Sequence, residues 1–291
     1  MENSIIGAAK KGNLNRLKKI LRDNPNANPG CHDNNPLLIA SIFGHIEVVR
    51  YLVSLPGVDH RAGYYNAFRS AAKYGKLEVV RFLSTLGGID ARIISHAVSA
   101  ACCHFNVVEF LTSLPEFNVT TDGHIALKGS VLSGDVDMLK YLLTFKNADI
   151  TKTCDGFAIT RAAAVGNLEM VKFLSTVMDP HVGEGGPITF ASHCGNLLIV
   201  KFLMTLPGVD PSCRDNDPFH YTYTRTDTSI AKELLKDVRV REKTKGTDHE
   251  KRAREIWEEI VDEMVHDAKR MKFLSSLVGD DIARNQIIPY L

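Results

Sequence analysis

The stretch GHIEVVRYLVSLPGVD, residues 44–59, decides the fold because near-copies of it recur along the 291-residue chain. The copies are GKLEVVRFLSTLGGID from residue 75, GNLEMVKFLSTVMD from residue 166 and GNLLIVKFLMTLPGVD from residue 195. Alignment on the first residue of this stretch gives one such position in each unit, which we name the elbow residue: Gly12, Gly44, Gly75, Cys103, Gly134, Gly166 and Gly195. Their spacing of 28 to 32 residues is typical of an array of stacked repeats.

Each unit has the pattern of a helical hairpin. Apolar residues at Val48, Val49, Leu52 and Leu55 follow the elbow and predict one face of an amphipathic second helix. A shorter first helix, rich in small residues, is predicted at 36–43. The elbow glycine between them is expected to take a positive φ and end the first helix. Polar stretches rich in Pro, Gly, Asn and Asp then predict a turn or hairpin between units.

These units resemble ankyrin repeats. The family pattern is matched in pieces, by Pro36-Leu37 and Pro187-Ile188 at the first helix, Gly44-His45 at the elbow, Ala148-Asp149-Ile150 at the exit and Asp155-Gly156 at the turn. The resemblance implies an all-α ankyrin-repeat solenoid, in which stacked helical hairpins are joined by short β-hairpins or turns. An array over 1–240 and a C-terminal helical segment over 241–291 are expected. The repeats are expected near 3–34, 35–65, 66–94, 95–124, 125–156, 157–186, 187–217 and, degenerate, 218–240.

The resemblance also implies a binding surface. In ankyrin repeats the two positions before the elbow point into a concave groove that contacts partner proteins. Carried over, they give these predicted partner-binding residues: Ile42, Phe43, Lys73, Tyr74, Cys102, Leu132, Ser133, Val165 and His193. The hairpin tips, such as 122–124, are a second candidate surface. Ordinary apolar surface, or cover by the C-terminal segment, is the alternative interpretation.

Composition narrows the class of partner. Lysine and arginine number 35 against 34 acidic residues, so no overall field favours nucleic acid or an anionic membrane. The sequence has no membrane-length apolar run and its start lacks a signal-peptide pattern, so we expect a cytoplasmic protein. The six cysteines form no C-x-x-C pair and are expected to be free thiols.

Two short cysteine–histidine clusters suggest a metal site or a nucleophile. They are ACCHF at 101–105 and SHCG at 192–195. The register places them three units apart, which is roughly 25 to 30 Å at about 8 to 10 Å per helix layer. Shared metal ligands lie at about 2 Å from the ion. We therefore predict no metal, cofactor, small-molecule substrate or catalytic residue, and a non-catalytic interaction scaffold with a protein partner.

The C-terminal segment predicts one long amphipathic helix. Its apolar stripe comprises Ile256, Ile260, Met264, Ala268 and Met271, widened by Trp257, Val261 and Val265. Residues 255–267 carry six acidic and no basic side chains, whereas residues 239–254 carry seven basic and three acidic side chains. The stripe is expected to be buried either on the last repeats, as a cap, or in a partner's groove.

The last residues resemble PRANC, the F-box-like tail of poxvirus ankyrin proteins that binds the adaptor of a cullin ubiquitin ligase. The matching residues proposed for docking are Leu277, Ile282, Ile287, Tyr290 and Leu291, although Val278 stands where the family has proline. This resemblance implies a substrate adaptor as the alternative function, and a plain C-terminal cap is the other interpretation. The Leu-Pro-Gly-Val-Asp exits resemble those of large DNA viruses and amoeba-dwelling bacteria, which implies a host-cell effector.

Overall fold

The computed structural model describes residues 2–152, 156–222 and 228–278. Their internal contacts divide the chain into two compact bodies. The first body comprises Met1–Ala162 and Lys172–Met178, and the second comprises Ala163–Val171 and Asp179–Leu291. Each body is considered separately below.

The described residues form helices joined by turns, without a β-strand. The helices are α1 (Glu2–Lys10), α2 (Leu14–Asp23), α3 (Cys31–Phe43), α4 (Ile46–Val53), α5 (Ala62–Lys73), α6 (Leu77–Ser84), α7 (Ala91–Ala100), α8 (Phe105–Thr112), α9 (Thr121–Ser133), α10 (Val136–Leu143), α11 (Phe157–Val165), α12 (Leu168–Val177), α13 (Val182–Cys194), α14 (Leu197–Thr205), α15 (Cys213–His220), α16 (Ser229–Leu235), α17 (Val238–Thr244) and α18 (Glu250–Val278), with a 3₁₀ turn at Ile150–Lys152. The expected all-α solenoid class is confirmed.

In the first body the helices pack in two layers. The first helices of successive hairpins lie side by side in the order α1, α3, α5, α7 and α9, and the second helices α2, α4, α6 and α8 pack in the same order. Each second helix also packs against the first helix of its own hairpin. The periodic sequence therefore produces a periodic stack.

Apolar residues of the second helices form the core between these layers. In α4, Val48, Val49 and Leu52 are at most 1% exposed, as the helical pattern predicts. Fully burying one such side chain contributes about 1.5 to 3 kcal/mol. On the first helices Ala40 and Ala71 are fully buried, because a small side chain lets neighbouring helices approach closely. The predicted burial of the amphipathic second helix is confirmed.

The elbow glycines end the first helices as predicted. All six have positive φ, from 65° at Gly12 to 87° at Gly195. At Gly44 the next residue, His45, donates its backbone N–H to the Ala40 carbonyl at 2.9 Å. This bond from the second residue beyond the helix satisfies a carbonyl that the helix itself leaves without a partner.

The connections between hairpins are turns. Short runs of left-handed backbone lie within the first turn of α3, at His32, Asp33 and Asn34, and of α15, at Arg214, Asp215 and Asn216. Asn and Asp tolerate this conformation better than most residues. The polar composition of these stretches thus specifies a turn, the second of the two expected connections.

The second body continues the same hairpin pattern and ends in a long helix. Helix α13 packs on α15 and α14 on α16, and α17 and α18 pack on α16. In the degenerate eighth unit Ile230 and Ala231 are buried, so that unit still contributes to the core. In the first part of α18, the side chains of Ala253, Ile256 and Ile260 are buried. The expected domain boundary near residue 240 stays a prediction.

Within the described ranges, no helix combines the length and the apolar composition that crossing a bilayer requires.

Candidate partner-binding surface

In the first body, the residue after the elbow links one hairpin to the previous one. The Nε2 atom of His45 lies 2.9 Å from the carbonyl oxygen of Lys10, and Nε2 of His104 lies 3.1 Å from that of Lys73. The ring N–H donates in both pairs, because a carbonyl only accepts. The last carbonyls of a helix have no partner inside the helix, so each histidine satisfies one of them. These bonds hold the C-terminal ends of adjacent first helices side by side.

The elbow glycine makes room for this ring. A Cβ atom built on Gly75 would lie 2.7 to 2.9 Å from three ring atoms of His104, and one on Gly12 would lie 2.5 to 2.8 Å from His45. Real Cβ contacts are longer than this. Glycine is therefore required at these elbows both for the positive φ and for the close approach of the next repeat.

The ends of the first helices expose large apolar side chains. Phe43 is 44% exposed, Tyr74 47% and Leu132 54%, each within two residues of its elbow. Lys73 and Ser133 are also exposed, and Ile42 is half-buried. The Nζ atom of Lys10 lies 5.7 Å from the centre of the Phe43 ring, in reach of a cation–π contact. We name the exposed and half-buried side chains in the C-terminal halves of α1, α3, α5, α7 and α9, with Lys11 and their elbows, the first-helix face.

Cys102 is a correction to the predicted site. Its side chain is 2% exposed and its Sγ atom lies 3.3 Å from the Val98 carbonyl oxygen, so it does not belong to the first-helix face. The cause is Cys103, which stands at the elbow without the positive φ of glycine. The chain turns differently there, since the His104 N–H bonds the Ala101 carbonyl at 2.7 Å instead of one five residues back. Burial raises the pKa of the Cys102 thiol to about 12.

The first-helix face has positive charge without matching carboxylates. No acidic partner lies within ion-pair distance of these cations in the described part of the chain: Lys10, Lys11, Arg69, Lys73 and Lys128. The acidic residues of the five first helices, Glu2, Asp33 and Asp122, lie at the N-terminal ends, away from the elbows.

Asp122, at one of the expected tips, is already engaged. Its Oδ2 atom lies 2.8 Å from both Nε2 of His96 and Nε of Arg92. The hydrogen bond from His96, aided by Arg92, holds the pKa of this carboxyl below its ordinary value of 3.8. His124, at the same tip, is 7% exposed. This tip therefore presents little free polar surface.

Cations on the second helices have a different role, which the sequence analysis missed. Arg50 lies 4.4 Å from the centre of the Phe82 ring, and Arg81 lies 4.5 Å from that of Phe110. Each contact joins one repeat to the next, and stacking on an aromatic face suits a guanidinium group. In the sequence, the sign of such a contact is an arginine that is followed about 30 residues later by an aromatic residue. These cations hold repeats together, whereas the cations of the first-helix face lie at the surface or partly buried and have no acidic partner in the described residues.

Comparison with known families agrees with this architecture. Residues 5–95 match the family model described as ankyrin repeats in three copies. This match supports an ankyrin-repeat protein. No curated protein matches it. Ankyrin repeats are generally protein–protein interaction modules and are typically non-catalytic, which suggests a protein partner.

The second body carries its own exposed residues at the ends of the first helices of its hairpins. Val165 is 53% exposed, and His193 and Cys194 are also exposed. The His193 ring stacks on Tyr221, with ring centres 4.6 Å apart and planes 5° apart. Tyr221 is 44% exposed and was missed, because the eighth repeat lacks the glycine on which the alignment depends.

The same elbow bond recurs in the second body with a different side chain. Asn196 donates its side-chain amide to the carbonyl oxygens of Ala163 at 2.7 Å and Ala164 at 3.0 Å. An amide and an imidazole thus make the same contact. At positions 45, 104 and 196 the side chain directly after the elbow donates an N–H to a carbonyl of the preceding first helix.

Cysteine and histidine residues form no activated site in the described residues. No group of three or more His, Cys, Asp or Glu side chains there is placed to hold a metal ion. A pocket of about 200 Å³ in the second body is lined in part by His181, Ile188, Leu203 and Cys213. Burial raises the pKa of the Cys213 thiol, whereas a nucleophile needs the thiolate. This pocket therefore offers no activated sulfur.

The predicted docking tail falls largely beyond the described residues. The backbone of Leu277 belongs to α18. Ile282, Ile287, Tyr290 and Leu291 lie outside the described residues. The resemblance to PRANC accordingly rests on the sequence alone.

Proposed function

We propose that this protein is a non-catalytic scaffold that binds a partner protein through the first-helix face. The observation that carries the proposal is the row of Phe43, Tyr74 and Leu132, each between 44% and 54% exposed at the end of a first helix. Large exposed aromatic and aliphatic side chains are the usual anchors of protein interfaces. The His45 and His104 bonds to the preceding repeats hold their helix ends in place, so little ordering entropy is lost on binding.

The charges of this face favour a partner segment with carboxylates beside apolar residues. Lys73 is next to Tyr74, and Lys10 lies over Phe43, so cations flank both aromatic anchors. Charge complementarity of this kind raises association rates and excludes basic partners. In the second body, Val165 and His193 are proposed as partner-binding residues of that body's own surface.

Affinity purification from eukaryotic lysate with quantitative mass spectrometry tests this proposal. The test variant carries Phe43→Glu, Tyr74→Glu and Leu132→Glu. The control carries Leu198→Glu and Val238→Glu, at sites 67% and 55% exposed outside the first-helix face. We expect specific partners to disappear with the test variant and to remain with the control. Identical partner sets from both variants would refute the proposal.

The alternative function is a substrate adaptor for a cullin-type ubiquitin ligase, acting in the cytoplasm and, if the protein is an effector, in that of a host cell. It is supported by the resemblance of the tail from Leu277 to Leu291. The described cysteines form no disulfide, which suits a reducing compartment. Deletion of 277–291 should remove cullin components from the purified set and leave the other partners. Retention of those components after deletion would exclude the tail as the docking site.

A further inference from the structure

Helix α18 has two different halves. Up to Ile260 it is anchored, since Ala253, Ile256 and Ile260 are at most 4% exposed. From 261 to 268 every side chain is exposed. Val261 is 40%, Met264 57% and Val265 45% exposed, although the sequence pattern favoured burial of the whole stripe.

The exposed apolar residues form a face of their own. Val261, Met264 and Val265 follow the i, i+3, i+4 spacing that places residues on one side of a helix. At about 100° per residue this side is roughly a quarter turn away from the buried stripe of Ile256 and Ile260. A helix presenting such anchors is suited to docking on an apolar surface of another molecule.

Carboxylates border this apolar face. Glu259 and Glu263 are paired with Lys232, at 3.1 and 2.6 Å, and Glu255 is paired with Arg252 at 3.1 Å. Glu258 and Asp262 have no cationic partner among the residues that the structure describes. They are four residues apart, so they lie along one edge of the face. The helix therefore offers apolar anchors next to unpaired negative charge.

The first-helix face has the complementary character. Phe43 and Tyr74 are exposed there, Arg69 and Lys73 lack acidic partners, and the Nε atom of Arg69 is buried without a hydrogen bond. The chain is nearly neutral as a whole, at +1, although these opposite charges are separated along it.

We propose that the exposed face of α18 from one copy of this chain docks on the first-helix face of a second copy. The inference rests on the proposed function in one respect, that the first-helix face is a binding surface. From Glu258 to Val265 the helix rises about 10 Å, at about 1.5 Å per residue. Adjacent first helices are about 8 to 10 Å apart. One α18 thus reaches the ends of two neighbouring repeats, such as those of Phe43 and Tyr74.

Like charges disfavour the simplest alternative, a pair of α18 helices. Residues 255–267 hold six acidic and no basic side chains, so two such segments would repel each other. Docking of α18 on the first-helix face is instead a head-to-tail contact. A contact made by a few turns of one helix is small, so the association is weak and weakens further with salt. Self-association would then cover the surface that binds the partner.

Analytical ultracentrifugation of the full chain tests the proposal. Wild type should associate progressively between about 10 and 500 micromolar, the range expected of a small interface. Raising NaCl from about 50 to 500 mM should weaken this association several-fold. The helix variant carries Val261→Ser and Met264→Ser, and the face variant carries Lys73→Glu and Tyr74→Ser. All four side chains are exposed, and circular dichroism verifies that both variants keep their helices.

The decisive experiment mixes the two variants. Each alone should be monomeric, whereas an equimolar mixture should form a complex that stops at two chains. One intact helix and one intact face remain in the mixture, so only one contact forms. A monomeric wild type, or a mixture without complex, would overturn the proposal. Association lost in the helix variant but kept in the face variant would also overturn it, because that result indicates contact between two helices.

Failure of the self-association proposal can be distinguished from failure of the proposed function. The helix variant leaves the first-helix face unchanged, so it should still retain the partners found by affinity purification. If wild type is monomeric and partner binding still depends on Phe43, Tyr74 and Leu132, only the self-association is refuted.

Discussion

Replacing Gly75 by alanine tests how the elbow glycines stabilise the array. Gly75 has φ of +69°, and alanine in left-handed backbone costs about 1 to 2 kcal/mol. Its Cβ would also lie 2.7 to 2.9 Å from the His104 ring, which must then move. Losing the bond from His104 to the Lys73 carbonyl costs about 0.5 to 1.5 kcal/mol more. The expected loss in the free energy of unfolding is therefore about 1.5 to 3.5 kcal/mol.

Gly87 offers a matched control. Its φ is +80°, but nothing lies within 4 Å of a Cβ atom built there. Gly87→Ala should therefore cost only the backbone contribution, about 1 to 2 kcal/mol. In a His104→Ala background the cost of Gly75→Ala should fall to the same value, because the obstructing ring is gone.

Urea unfolding followed by circular dichroism measures these differences. A repeat array unfolds in steps when one of its interfaces is weakened. The transitions followed by circular dichroism and by fluorescence should therefore coincide before free energies of unfolding are compared. Equal losses for Gly75→Ala and Gly87→Ala would show that the close contact of the next repeat contributes nothing. An undiminished loss in the His104→Ala background would refute the role of the ring.

Three further predictions follow from burial and charge. A thiol reagent at pH 8 should label exposed Cys103 and leave Cys102 unlabelled, because burial raises the pKa of Cys102 to about 12. Tandem mass spectrometry measures the labelling of each cysteine, and equal labelling would contradict this prediction. The hydrogen bond from His96 lowers the pKa of Asp122, so the pair stabilises the fold above the carboxyl's unfolded pKa and loses this effect as pH falls. Asp122→Asn should thus lower Tm at pH 7 but leave it unchanged at a pH below the lowered pKa of Asp122, and a loss of the same size at both pH values would count against the pair. Leu83→Ala, at a site 2% exposed, should lower the free energy of unfolding by about 2 to 5 kcal/mol in urea titration, and a loss under about 1 kcal/mol would mean that the core is not packed there.

The repeat architecture was predictable because its signals are local and recur. An amphipathic second helix buries Val48, Val49 and Leu52 whichever neighbours stack on it, and glycine at the elbow imposes the left-handed turn. The burial of the second helices and the turn at the elbow need only the periodicity of the chain. The exposure of Phe43 and Tyr74 was instead implied by the resemblance to ankyrin repeats.

Cys102 shows where the register was insufficient. The alignment placed it on the binding surface, but without glycine at position 103 the turn changes and the side chain packs inward. Tyr221 was missed for a related reason, because its repeat has lost the elbow glycine. At residue 103 the backbone conformation of one turn decides which way the Cys102 side chain points.

The sequence by itself determined that this chain stacks helical hairpins, because periodic apolar residues can be buried only by neighbouring copies. Only the tertiary structure decided which charges remain available. The cations of the second helices lie over aromatic rings of the next repeat, whereas Lys73 and Arg69 have no acidic partner in the described residues. It also decided that α18 is buried as far as Ile260 and exposed from Val261 to Ala268, although one apolar stripe runs through both parts. The physical reason is that burial and charge pairing depend on residues far apart in the chain, and their distances exist only once it has folded.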